Sequence, residues 1–167
     1  IAGKESGIIG LISVFESRFN KSDYRPILLL SYALEHYIFG EQNPHVSHAM
    51  NILLYCILCI VIYCFLLLLP LDEKTKVIAL MVTLLFVTHP IHANVVGNLK
   101  SRDNILSMLF GIMATMQLIK FISSEKLISI LRLIAAAGFF VLAILSKLDA
   151  AGFIFLIPFI LVLFYNR

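Results

Sequence analysis

From residue 46 onward the chain alternates long apolar runs with short polar breaks. A hydrocarbon core of about 30 Å needs roughly 20 apolar residues in a helix. Residues 46–71 and 76–96 supply that length, as do 105–122 and 127–146, and 151–165 form a shorter fifth run. Backbone polar groups in lipid must pair within the segment, so the pattern predicts helices throughout. The first 45 residues differ. In "GIIGLISVFESRF" the apolar positions Ile8, Ile9, Leu11, Ile12 and Phe15 are backed by Glu16 and Arg18, which predicts an amphipathic helix lying on the membrane. Pro26 can open a second helix that Gly40 ends. Glu35 and His36 interrupt it, so it is expected at the interface or packed between helices. The reading is an all-α integral membrane protein, a polytopic bundle of about five transmembrane helices. Residues 1–45 form its interfacial part and 46–167 one bundle domain.

Composition supports that class. Of 167 residues, 60% are hydrophobic and only 14% charged, whereas soluble domains carry about 25% charged residues. The net charge is +3, with no basic cluster dense enough to track nucleic-acid phosphates. Ile1 rather than Met opens the chain, so a piece of a longer protein is expected. Cys56 and Cys59 form a C-x-x-C but sit with Cys64 inside "ILLYCILCIVIYCFLLLL", where they read as soft helix residues.

Alternating helices put connectors 72–76 and 120–126 on one side. Connectors 94–104 and 146–150 share the other with the N-terminal 45 residues. Lys74, Lys76, Lys120, Lys126, Arg132 and Arg167 mark the first side, against Lys100, Arg102 and Lys147 in the connectors of the second. By the positive-inside rule the first side faces the cytoplasm. Tyr24, Arg25, His48, His89, His92, Lys100, Arg102, Asp103, Lys147 and Asp149 are therefore expected near one outer face.

Each of these has more than one physical reading. In "SRDN" either Ser101 or Asp103 can cap a helix. Arg102 can grip a phosphate with two N–H groups, and Lys100 with the helix start can add to an anion site. His89 and His92 flank a proline, three apart. They can ligate a metal with Asp103 as third ligand, or bond the backbone that the proline frees. No complete metal signature is present, and a divalent metal stays open. His48 and Asn51 fall on one face of the first span, as helix contacts or site walls. Lys147 can snorkel or hold an anionic headgroup.

The segments "YRPILLLSYALEHYIFGEQNPHVSHAMNILLY", "LLFVTHPIHANVVGNLKSRDNILSMLFG" and "LAILSK" together resemble one family. It is the membrane domain of the transmembrane and tetratricopeptide-repeat O-mannosyltransferases and their bacterial relatives, of the GT-C glycosyltransferase type. The resemblance spans about residues 24–147. It implies a sugar, mannose among the candidates, transferred from a polyprenyl- or dolichyl-phosphate donor to a protein or other acceptor on the extracytoplasmic side. It carries Tyr24, Arg25, His48, Asn51, His89, His92 and Arg102 onto substrate-binding positions, with Lys100 and Lys147 beside them. Arg25, Arg102 and Lys147 suit the donor phosphate. Asp103 is the candidate catalytic residue as a second acidic group, the main acid being expected ahead of Ile1. The chain departs from the pattern at Asn104, where relatives often carry an acid, and at Leu148, where they carry Glu.

The resemblance favours a bacterial inner membrane, with the endoplasmic reticulum as the alternative, the site facing periplasm or lumen. The rival reading is a non-catalytic membrane subunit within a larger complex. A lipid flippase would need a polar path through the cytoplasmic halves of the spans, which only Gln117 and Arg132 interrupt.

Overall fold

The computed structural model describes residues 24–40, 43–69, 75–122 and 126–165. The amphipathic opening expected before Tyr24 lies outside these. Seven α-helices occur among the described residues: α1 (Pro26–Phe39), α2 (Pro44–Leu68), α3 (Thr75–Thr88), α4 (Pro90–Gly97), α5 (Arg102–Ile122), α6 (Lys126–Ser146) and α7 (Phe153–Tyr165). Short 3-10 turns at Leu99–Ser101 and Leu148–Gly152 lead into α5 and α7.

Local chemistry sets most of the boundaries. Pro26, Pro44 and Pro90 each occupy a first-turn position, where the missing N–H costs nothing. The Asn43 side chain caps α2 by accepting from the His45 amide at 2.9 Å. Gly40 ends α1 at φ 81°, a conformation open to glycine at little cost.

Three helical segments are long and apolar enough to cross a membrane: Pro44–Leu68, Leu99–Phe121 and Ile128–Ser146. A fourth crossing is available only if α3 and α4 count as one span, because they are bent by 59° at the His89–Pro90 break. The fifth run is short, as its sequence implies. With 13 residues, α7 reaches about 20 Å at 1.5 Å per residue, well under the hydrocarbon thickness. Among the described residues the bundle is thus all-α and polytopic, with three helices long enough to cross and a fourth crossing if the bent pair is one span.

α5 is the central helix. Half of its apolar window is buried inside the bundle, against 17% for α2 and 11% for α6. Leu58 and Ile62 of α2 meet Ile105, Leu109 and Ile112 of α5 in the main core cluster, with Phe86, Val95 and Phe153 packed around it. α6 forms the most extensive helix pair with α5. Of its residues whose burial is described, only Ala136, Ala143 and Ser146 are buried, all small and on one face, as close helix approach in lipid requires. Outward-facing side chains such as Leu85 and Phe155 are largely exposed. In a soluble protein that would be a liability, but against acyl chains it is the expected surface.

Candidate functional site

The N-terminal ends of α2 and α5 and the C-terminal end of α6 meet at one end of the bundle, and α1 packs across them. Several polar residues gather there in two corners.

The first corner is built on Arg102, whose side chain has no exposed surface. Its Nε donates to Asn51 Oδ1 at 2.7 Å and its Nη2 to Glu35 Oε2 at 2.7 Å. Nη2 also reaches the Ser47 carbonyl at 3.1 Å, and Nη1 the Ser31 hydroxyl at 3.4 Å. The guanidinium lies 4.3 Å from the centre of the Tyr32 ring, a cation–π stack. Glu35 is itself buried, and its other oxygen accepts from the Ser47 hydroxyl. A buried charge is tolerable only when paired and bonded, and this one has both. Asn51 donates onward to the Asn98 carbonyl at 3.4 Å. Tyr32 donates to the Leu99 carbonyl. Burial pushes the Tyr32 phenol above its ordinary range, with the Arg102 charge opposing it. The whole guanidinium is therefore turned inward, and the phosphate grip expected of Arg102 has no surface here to work with.

Next along α5, Asp103 is 2% exposed and pairs with Arg25. Its Oδ1 also accepts from the Asn104 amide at 2.8 Å, inside the first turn where a negative charge suits the helix dipole. The cap expected from Ser101 or Asp103 is supplied instead by Asn98, whose side chain accepts from the Lys100 amide at 3.1 Å and starts the 3-10 turn leading into α5. Arg102 and Asp103 together pin α1 at two points, its start through Arg25 and its middle through Tyr32 and Glu35. On the other flank Lys147 donates to Asn104 Oδ1 at 2.7 Å and pairs with Asp149 at 2.8 Å. Lys147 stays 24% exposed and Asp149 74%, so in this pair the acid faces outward, whereas Asp103 and Glu35 are buried in theirs.

The second corner holds the histidines. His89 sits in the break between α3 and α4 and accepts from the Ile91 amide through Nδ1 at 3.3 Å, capping the short α4. The His92 ring lies 4.1 Å from Phe86 and 5.7 Å from Tyr55, centre to centre. The two imidazoles are 5.9 Å apart. Asp103 does not join them. Among the described residues no three of His, Cys, Asp or Glu come together to hold a metal ion. His48 is exposed while Asn51, three residues on, is fully buried, so the pair does not act as one wall. Tyr24 is 44% exposed, and Lys100 is exposed beside the 3-10 turn. Cys56, Cys59 and Cys64 are all free thiols.

Sequence reasoning missed Glu35, Tyr32, Ser47 and Asn104 as members of the first corner. Glu35 carried the signal. A carboxylate in the middle of an otherwise apolar helix needs a named partner, and Arg102 is the cation that the fold brings to it.

No family model and no solved structure matches the chain. Curated relatives do. Protein O-mannosyl-transferase TMTC1 of mouse is 32% identical over 102 residues, which is 59% of this chain and 10% of the relative. Human TMTC3, also a protein O-mannosyl-transferase, is 36% identical over 99 residues, again 59% of this chain and 10% of the relative. Human TMTC1 is 33% identical over 102 residues. The chain spans about a tenth of the length of these homologues. They support the family that its motifs resemble.

Proposed function

We propose that this chain is part of a membrane glycosyltransferase that moves mannose from a polyprenyl- or dolichyl-phosphate carrier to a protein hydroxyl on the extracytoplasmic side. The observation that carries the reading is the gathering of Arg25, Asp103, Asn104 and Lys147 at one end of a polytopic bundle whose curated homologues are protein O-mannosyl-transferases. The mouse and human origin of those homologues draws the proposal toward the endoplasmic reticulum membrane rather than the bacterial one.

In this reading the residues divide the work. Lys147 faces the donor phosphate. Its partner Asp149 is solvent-exposed, and an exposed ion pair is worth only about 0–1 kcal/mol, so a phosphate can replace it. A departing lipid phosphate carries negative charge, which a fixed cation stabilises. Asp103 holds and orients Arg25, so its carboxylate acts through the arginine rather than as a base. Arg102 keeps α1 in register and touches no substrate.

The test is retention of a polyprenyl-phosphate mannose by the full-length protein in detergent, read by native mass spectrometry, followed by a transfer assay. Wild type retains the lipid, and Lys147→Ala loses most of it. Equal retention by both removes Lys147 from the site. A second reading, a non-catalytic subunit, draws on the burial of the Arg102–Glu35 pair and of Asp103. It expects Asp103→Asn to impair assembly while transfer by the assembled complex is untouched.

A further inference from the structure

A cleft of about 330 Å³ opens between the end of α1, the start of α2 and the 3-10 turn before α5. No role proposed above uses it. Its lining is largely apolar, with Phe39, Pro44, Val46 and Leu99 among the residues. Tyr32, Glu35 and Ser47 also line it, yet their polar atoms are already committed. Tyr32 gives its proton to the Leu99 carbonyl, Ser47 gives its proton to Glu35, and Glu35 is paired with Arg102. The acid in the wall is therefore neutralised, and the charge of the described lining is set at the rim. Lys100 and His36 stand there, both exposed. Neither side chain has a hydrogen-bond or ion-pair partner among the described residues. Beside the rim Tyr37, Ile38 and Phe39 are 87%, 59% and 57% exposed. Aromatic and aliphatic side chains next to a cationic rim match the chemistry of a membrane interface.

We propose that this cleft binds a phosphate ester of a membrane amphiphile, with the phosphate at Lys100 and His36 and the first carbons of the chain along Phe39, Val46 and Leu99. A lysine ammonium binds phosphate as a point charge, and a histidine N–H adds a directed donor. The source of the ester is a bilayer phospholipid or a polyprenyl phosphate, which share this chemistry. The proposal rests on the reading that this end of the bundle lies in the membrane interface and does not require sugar transfer.

The experiment is native mass spectrometry of the full-length protein in detergent. The probes are dioctanoyl phosphatidylglycerol, dioctanoylglycerol as the phosphate-free comparator, and a polyprenyl phosphate as competitor. Phosphatidylglycerol is retained and dioctanoylglycerol is not. The Lys100→Ala/His36→Ala double variant lowers retention by about tenfold or more, the size expected for losing charge-assisted contacts. Lys76→Ala, which removes a cation from α3, leaves retention unchanged. Both substitutions in the double variant are at exposed positions outside the buried network, so a folded protein is expected. Displacement by polyprenyl phosphate assigns the site to a lipid carrier, and no displacement assigns it to a bilayer phospholipid. Either result supports an amphiphile phosphate site. Equal retention of dioctanoylglycerol, or an unchanged double variant, overturns it. The readout is binding alone, so it stands or falls apart from the transferase reading.

Discussion

The two polar corners of the bundle look alike in sequence and are built in opposite ways. The Arg102 corner joins α1, α2 and α5 through bonds that span 51 to 71 positions of chain. The histidine corner is largely local: His89 caps its own helix two residues on, and His92 reaches Phe86 six positions back. The first is buried and the second lies mostly at the surface. Burial makes the first expensive to disturb, since an unpaired charge there has no water to turn to. Exposure makes the second cheap. Sequence spacing marked both as chemistry, and only packing separates a structural hub from a helix cap.

The comparison can be broken most directly at Arg102. Arg102→Ala leaves Glu35 buried without its cation and is expected to cost about 3–5 kcal/mol. Thermal unfolding in detergent, followed by circular dichroism, reads the loss. If the variant unfolds with the wild type, the hub assignment fails. Next in size comes Gly111→Ala in α5. A Cβ there runs into the Phe153 ring of α7, and overpacking of this kind costs about 1–3 kcal/mol. The same melt reads it, and pairing it with Phe153→Leu should recover part of the loss.

Smaller effects sharpen the contrast. His89→Ala removes a side-chain cap from α4 and is expected to cost about 1 kcal/mol, as such caps do. A loss as large as that of Arg102→Ala would show that the histidine corner is a second hub. Smallest of all is the effect of Lys147→Ala on stability, within about 1 kcal/mol because its partner Asp149 is exposed. That variant loses donor lipid in the mass-spectrometric assay while melting normally. A large drop in melting temperature would instead make Lys147 part of the scaffold.

Much of the fold was legible from hydropathy. The apolar runs at 46–71, 105–122 and 127–146 became α2, α5 and α6, and Pro26 and Gly40 bracket α1 as expected. The broken span was half legible, since Pro90 announced a break but not its angle. The short apolar run at 151–165 forms α7 from Phe153 on, because the 3-10 turn at Leu148–Gly152 takes its first two residues. For the candidate site, helix alternation was enough to place Arg25, Arg102, Asp103 and Lys147 at one end. Their division of labour was not. Whether an arginine faces a ligand or a buried glutamate depends on the seating of α1, a contact 67 positions away in sequence. No local pattern records it.

That separation also fixes an order of events during synthesis. Glu35 is made 67 residues before the arginine that neutralises it. At a ribosomal pace of about 5–20 residues per second, the acid spends roughly 3 to 13 seconds without its partner. An unpaired carboxylate does not settle into hydrocarbon, and α1, at 14 residues, is too short to cross it. The helix can therefore take its buried seat only once Arg102 has been made, and α6 packs onto α5 after that.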